Sequence, residues 1–189
     1  VTTYGTASLN LARELNMLRE AKESNELQRL LRESKLNSFR YSQTVIDKKV
    51  EELYARFPHD LKVKLEFANL SLRSDRIEEA ARLAEDILHK EPQNLRALNL
   101  LARARMKMGQ WDEALKLMSG AQLLSPLNPE RLIMMGESFY GKGDLEKAVH
   151  CYAKAAAEDG DYKILADRGT GQIRVDQGQL EEALELFKG

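Results

Sequence analysis

Apolar positions recur along this chain with two periods. The short period is helical. Between Leu95 and Met108, residues Leu98, Leu101, Ala102 and Met106 fall on one side of an α-helix. Gly109 ends that stretch, because glycine enters the left-handed conformation at little cost. A second stripe follows from Trp111 to Leu124, carried by Trp111, Ala114, Leu115, Met118 and Ala121. Ser125-Pro126 breaks it, and Asn128-Pro129 opens the next helix. The long period repeats this two-helix unit. Ala80, Ala114, Ala148 and Ala183 lie 34, 34 and 35 residues apart. Asp75, Gly109, Gly143 and Gly178 keep the same step, as do Ile77, Trp111, Leu145 and Leu180. Self-similarity on this scale predicts an all-α solenoid of stacked helix pairs.

The small residues explain how the two helices of a unit approach. The first helix carries Ala68, Ala102, Gly136 or Gly171 where the second is expected to cross it, and the second answers with Ala80, Ala114, Ala148 or Ala183. Larger side chains are expected to wedge around that crossing: Ile77, Trp111, Leu145 and Leu180, then Ala84, Met118, Tyr152 and Phe187. A leucine forced into such a crossing would overpack it, at about 1–3 kcal/mol.

The run Gly-x-hydrophobic-x-x-Ala occurs three times, as Gly109-Gln110-Trp111-Asp112-Glu113-Ala114, Gly143-Asp144-Leu145-Glu146-Lys147-Ala148 and Gly178-Gln179-Leu180-Glu181-Glu182-Ala183. With Pro92 and Pro126 closing two units, it resembles the tetratricopeptide repeat (TPR) family. Gly160 replaces the closing proline of the third unit, and the one extra residue there is expected in the loop Glu158 to Lys163. The resemblance implies a right-handed αα superhelix over residues 61–189, as units 61–94, 95–128, 129–163 and an incomplete 164–189. The register extends upstream through Pro58, Leu53 and Val50. Residues 27–60 are therefore expected to form a degenerate helix pair, with Ser34 at the small crossing position and Ile46 where alanine would stand. Residues 1–26 read as an N-terminal helical extension or linker. Within it Ala7 to Lys22 is amphipathic through Leu11, Leu15, Leu18 and Ala21, and would either cap the first unit or mediate pairing and linkage.

Composition narrows the chemistry. Of 189 residues 43% are hydrophobic and 31% charged, which suits a folded chain. The net charge of −1 gives no global attraction to nucleic acid or anionic lipid. Cys151 is the single cysteine, so an internal disulfide and a multi-cysteine zinc site are excluded. No apolar run approaches the roughly 18 residues of a membrane span. The start, Val1 to Gly5, has neither an initiator methionine nor a signal-peptide pattern, so the chain reads as a fragment and the cytoplasm as its default location. His59, His89 and His150 lack metal-ligand spacing, and Asp159-Gly160-Asp161 lacks the other oxygens of a calcium loop. Gly169-Thr170-Gly171 is too short for a phosphate loop. The acidic pairs Glu78-Glu79, Asp112-Glu113 and Glu181-Glu182 open second helices and complement the helix dipole. The expectation is a non-enzyme without cofactor or metal.

In the family that these repeats resemble, first helices line a concave groove that takes an extended peptide or a partner helix. The resemblance places Asn69, Arg73, Arg96, Asn99, Arg103, Lys107, Glu137, Tyr140, Arg168 and Gln172 in that groove. The helix Asn94 to Gln110 holds Arg96, Arg103, Arg105 and Lys107 and no acid. This predicts a basic strip that could fork onto acidic side chains, with Arg103 central. The terminal-carboxylate clamp of some co-chaperones is not expected: only Asn69 fits it, Leu65 replaces a lysine, and Glu130 and Met134 stand where cations are needed. The stretch Leu124-Ser125-Pro126-Leu127-Asn128, Arg131, Gly143-Asp144, Ala148, Tyr152 and Lys154-Ala155 is also similar to the TPR output region of bacterial receiver-linked response regulators. Together these resemblances imply a scaffold that binds a protein or peptide, an acidic one if the strip is used, as an output module in bacterial signalling. The alternatives are a self-associating homo-oligomeric module and the non-catalytic part of a larger enzyme. Nucleic acid is not an expected partner.

Overall fold

The structure, a computed structural model, describes residues 19, 21–26, 28–29 and 43–188. All secondary structure among them is helical. Helix α1 is described at residues 19, 21–26 and 28–29. It is followed by α2 (Gln43–Arg56), α3 (Leu61–Arg73), α4 (Ile77–Lys90), α5 (Leu95–Lys107), α6 (Trp111–Leu124), α7 (Pro129–Gly141), α8 (Leu145–Glu158), a 3-10 turn (Gly160–Tyr162), α9 (Lys163–Asp176) and α10 (Leu180–Lys188). Most of the expected amphipathic helix, including Leu11, Leu15 and Leu18, lies outside the described residues, as does Ser34. The chain divides into two compact units, 1–83 and 84–189.

In the first unit Ile46, Val50, Leu53 and Phe57 bury one face of α2 against Val63, Phe67 and Leu70 of α3. Tyr54 stacks on Phe67 with ring centroids 4.1 Å apart. The Asp60 carboxylate caps α3, accepting from the backbone N–H groups of Lys62 (2.8 Å) and Val63 (3.0 Å). It also accepts from Ser24 Oγ at 3.2 Å, which ties α1 to the start of α3.

In the second unit first and second helices alternate. The first helices α5, α7 and α9 neighbour one another in a row, and α6, α8 and α10 pack against them in order. Side chains at fixed register build the junctions. Asn94 and Asn128 cap α5 and α7 by accepting from the N–H of the third residue on. No side-chain cap opens α9. There the expected extra residue is absorbed: a 3-10 turn capped by Asp159 precedes a helix of 14 residues, against 13 in α5 and α7. The first helices end alike. Gly143 has φ +81°, and Asp144 N–H reaches back to the Phe139 carbonyl at 2.9 Å, a Schellman closure. In the first unit, Asp75 takes this left-handed position at φ +60°.

The crossing alanines are interior: Ala68, Ala80, Ala102, Ala114, Ala148 and Ala183 are all buried. The glycines do something further. A Cβ on Gly136 would stand 2.5 Å from the Tyr152 ring, and a Cβ on Gly171 would stand 2.6 Å from the ring of Phe187. What each glycine admits is thus the aromatic side chain one turn beyond the crossing alanine. Tyr152 is clasped from its other side as well, because a Cβ on Gly169 of α9 would lie 2.5 Å from it. Gly141 likewise makes room for Trp111. Leu180, expected as a wedge, is instead 60% exposed, and Leu184 and Phe187 are 54% and 51% exposed.

Candidate functional site

The first-helix row of the second unit carries most of the expected groove residues. Arg96, Asn99, Arg103 and Lys107 are spaced i, i+3, i+7 and i+11 on α5, so they share one helical edge. Arg96, Arg103 and Lys107 are exposed, and each also has an interaction elsewhere in the chain. Arg105, the fourth cation of this helix, is set apart. It is half-buried and engages Glu85, Glu113 (3.2 Å) and the Gln110 side chain (2.9 Å). Arg105 is thus separated from the three cations that share the α5 edge.

Asn99 is held from below. Its Oδ1 accepts from Arg131 Nε at 3.3 Å. Arg131, in the first turn of α7, is only 2% exposed. Its Nη1 donates to Gln122 Oε1 (3.0 Å) and to the Ser125 carbonyl (2.6 Å). Burial lowers the pKa of this guanidinium, and the neighbouring charge of Glu130 acts the other way. In the sequence only the helical position of Arg131 is legible, and its burial is not.

Across α7 and α9 lies a second polar group. Tyr140 Oη donates to Asp176 Oδ2 at 2.5 Å, and Gln172 Nε2 donates to Asp176 Oδ1 at 2.9 Å. Asp176 was not among the expected residues, although it stands two repeats after Lys107 in register. Glu137 is exposed, yet desolvation raises its carboxyl above the usual range, against the pull of Arg168. The Tyr152 phenol is pushed up by burial first and then by Glu137, Cys151 and Tyr140, with Arg168 opposing, so it stays protonated. The bonds from Tyr140 and then Gln172 hold the Asp176 carboxyl below its ordinary value. A depressed carboxyl contributes stability above its unfolded pKa and loses it as pH falls through the folded one. Tyr140→Phe is expected to raise the Asp176 titration midpoint toward that of a free aspartate. Carboxyl-carbon NMR against pH reads this directly, and an unmoved midpoint would detach the phenol from the shift.

In the first unit, Asn69 Nδ2 donates to the Leu65 carbonyl one turn back at 3.0 Å, and Arg73 pairs with Asp47 at 2.8 Å. Both side chains thus have intramolecular roles of their own.

Among the described residues, no group of three or more His, Cys, Asp and Glu is placed to hold a metal ion. No described helix is long and apolar enough to cross a membrane. Cys151 is buried, and its thiol is raised by burial, which leaves it a poor nucleophile.

Sequence profiles of the tetratricopeptide repeat match residues 48–104, 71–130 and 133–189. The chain belongs to the tetratricopeptide-repeat family. No curated protein matches it in sequence. Among solved structures, it is similar to MamA 41-end from Desulfovibrio magneticus RS-1. That likeness has a TM-score of 0.66 at 17% identity and covers 88% of this chain and 92% of the other. The structure designated MamA MSR-1 C2 has a TM-score of 0.65 at 17% identity, over 90% and 94%. A further crystal structure of MamA has 0.63 at 16%, over 77% and 84%. At such identities the likeness is one of fold: an all-α TPR solenoid. Proteins of the TPR family act as protein-interaction scaffolds, and this chain shares their architecture.

Proposed function

We propose that the first-helix row α5, α7 and α9 binds an extended segment or a helix of a partner protein, and that the α5 edge receives acidic side chains. The observation that supports this reading is the placement of cations on α5. Arg96, Arg103 and Lys107 share one exposed edge of a helix that has no acid of its own, each of them also interacting within the chain. A row of preformed helices loses little ordering entropy on binding. Its selectivity then comes from charge and hydrogen-bond pattern.

The finer expectation, an output module of a bacterial response regulator, rests on residues 124–155. Several residues in that stretch have packing roles here: Arg131, Ala148, Tyr152 and Ala155 are buried, and Gly143 holds a left-handed turn. They account for the stretch without a signalling role. A second reading, self-association, is favoured by the exposed stripe Leu180, Leu184 and Phe187 on α10. Light scattering over a concentration series separates it, because a mass that stays monomeric removes it.

The binding reading is tested by affinity capture on the intact chain and on Arg103→Glu. Partners held by the wild type are expected to be lost from the variant and released as salt rises. Capture that ignores both the substitution and the salt would overturn the role given to α5.

A further inference from the structure

We propose that α10 of a second copy of this chain docks in an apolar groove between α5 and α6, with Gly120 as its seat. The inference rests on the self-association reading and names the surface that receives the α10 stripe. It starts from a glycine that the fold leaves unexplained. The four other α-helical glycines of the second unit each make room for a ring: Gly136 and Gly169 for Tyr152, Gly141 for Trp111 and Gly171 for Phe187. Gly120 stands inside α6 and is exposed, and a Cβ built on it would meet nothing within 4 Å. A glycine at such a position weakens the helix, and no described residue fills the space it leaves.

That space belongs to a groove of about 520 Å³, lined by Leu98, Leu101 and Arg105 of α5 and, beside Gly120, by Glu113, Lys116 and Leu117 of α6. None of the residues placed in the first-helix groove lines it. Charge selects the occupant. Arg105 and Glu113 pair with each other at 3.2 Å, which leaves Lys116 exposed and without an ion pair among the described residues. On α10, Leu180, Leu184 and Phe187 are spaced i, i+4 and i+7 and are all more than half exposed. This is the spacing of a helix that lies in an apolar groove. Glu182 is taken by Arg174 at 3.3 Å and Glu185 by Lys188 at 2.7 Å, so Glu181, next to Leu180, is the acid left over. An apolar ridge with one unpaired anion thus matches an apolar groove with one unpaired cation. Ridge and groove are different surfaces of the same chain, so the contact is heterologous, and each copy that joins still offers one of the two.

Light scattering against concentration reads the contact. The average mass of the wild type should rise past that of two chains. Gly120→Glu sets a carboxylate where the ridge would seat, and Leu184→Glu removes the middle of the ridge, so each variant alone should stay monomeric. Mixed in equal amounts, they should form a pair of one chain each, because the first keeps its ridge and the second its groove. Both positions are exposed, and glutamate is a better helix former than glycine, so Gly120→Glu should melt at or above the wild type in dilute solution. Lys116→Glu should weaken association by about tenfold, and Glu181→Lys in the same chain should restore it.

A wild type that stays monomeric would remove this inference together with the self-association reading. A Gly120→Glu protein that associates as the wild type does, while Leu184→Glu does not, would remove the groove and leave the α10 contact standing. Two monomeric variants that fail to pair on mixing would also remove the groove, since a ridge-in-groove contact must complement itself in this way.

Discussion

Tyr152→Ala is expected to destabilise the second unit by about 4 kcal/mol, toward the upper part of the range for losing a buried aromatic ring. The reason lies in what surrounds the ring. Tyr152 is 3% exposed and sits between Gly136 of α7 and Gly169 of α9. Neither glycine has a side chain that could collapse into the space, so the cavity would stay open. The reverse substitution tests the same geometry. Gly136→Val places its first carbon where the ring already stands, about half an ångström or more inside normal contact, and should cost roughly 3 kcal/mol. The ring cannot yield, because Gly169 backs it. Tyr152→Ala combined with Gly136→Val should therefore cost less than the two changes added, by about 1 kcal/mol or more. Urea denaturation of the four proteins measures this cycle, and strict additivity would show that ring and glycine do not share the space.

Arg131→Ala is expected to cost about 3 kcal/mol. Two effects compete. Removing a buried guanidinium relieves its desolvation, which favours the variant. Against that, Asn99 Oδ1, Gln122 Oε1 and the Ser125 carbonyl all lose their donor. A half-buried acceptor left unpaired costs toward the lower end of about 1–3 kcal/mol, and three of them together outweigh the relief. The Ser125 contact also anchors the loop in which Leu127 is held at φ +60°, a conformation costly for a branched side chain. Thermal denaturation reads the loss, and a variant as stable as the wild type would mean that water replaces the guanidinium at all three acceptors.

Much of the architecture was legible in the chain because the repeat writes it several times over. Helix α7 opens at Pro129 and α6 spans Trp111–Leu124 as expected, and α5 ends one residue early, at Lys107 rather than Met108. Such ends are readable because local chemistry sets them: an Asn or Asp cap at the start and a left-handed residue at the close. The small crossing residues were readable by register. The partner of each glycine was less so, because Gly136 and Gly171 admit the rings of Tyr152 and Phe187 and not just a close alanine. Gly169 looked like a fragment of a phosphate loop, and its contact with Tyr152 is made by a helix of the following repeat. The family resemblance, not the spacing, placed the α5 residues in an expected groove, and Arg105 could be separated from its neighbours only by seeing Glu85 and Glu113 beside it. Asp176 lay in register with Lys107 and was hidden by a change of charge sign.

The one-dimensional pattern by itself determined the helix pairs, their period and their buried faces, because helical spacing and caps act within a few residues of one another. Tertiary packing decided which partners the polar side chains take within the fold. Arg105 and Arg131 are held there, since hydrogen bonds between residues 20 and 32 positions apart assign each donor to an acceptor. Local sequence carries no information about that assignment.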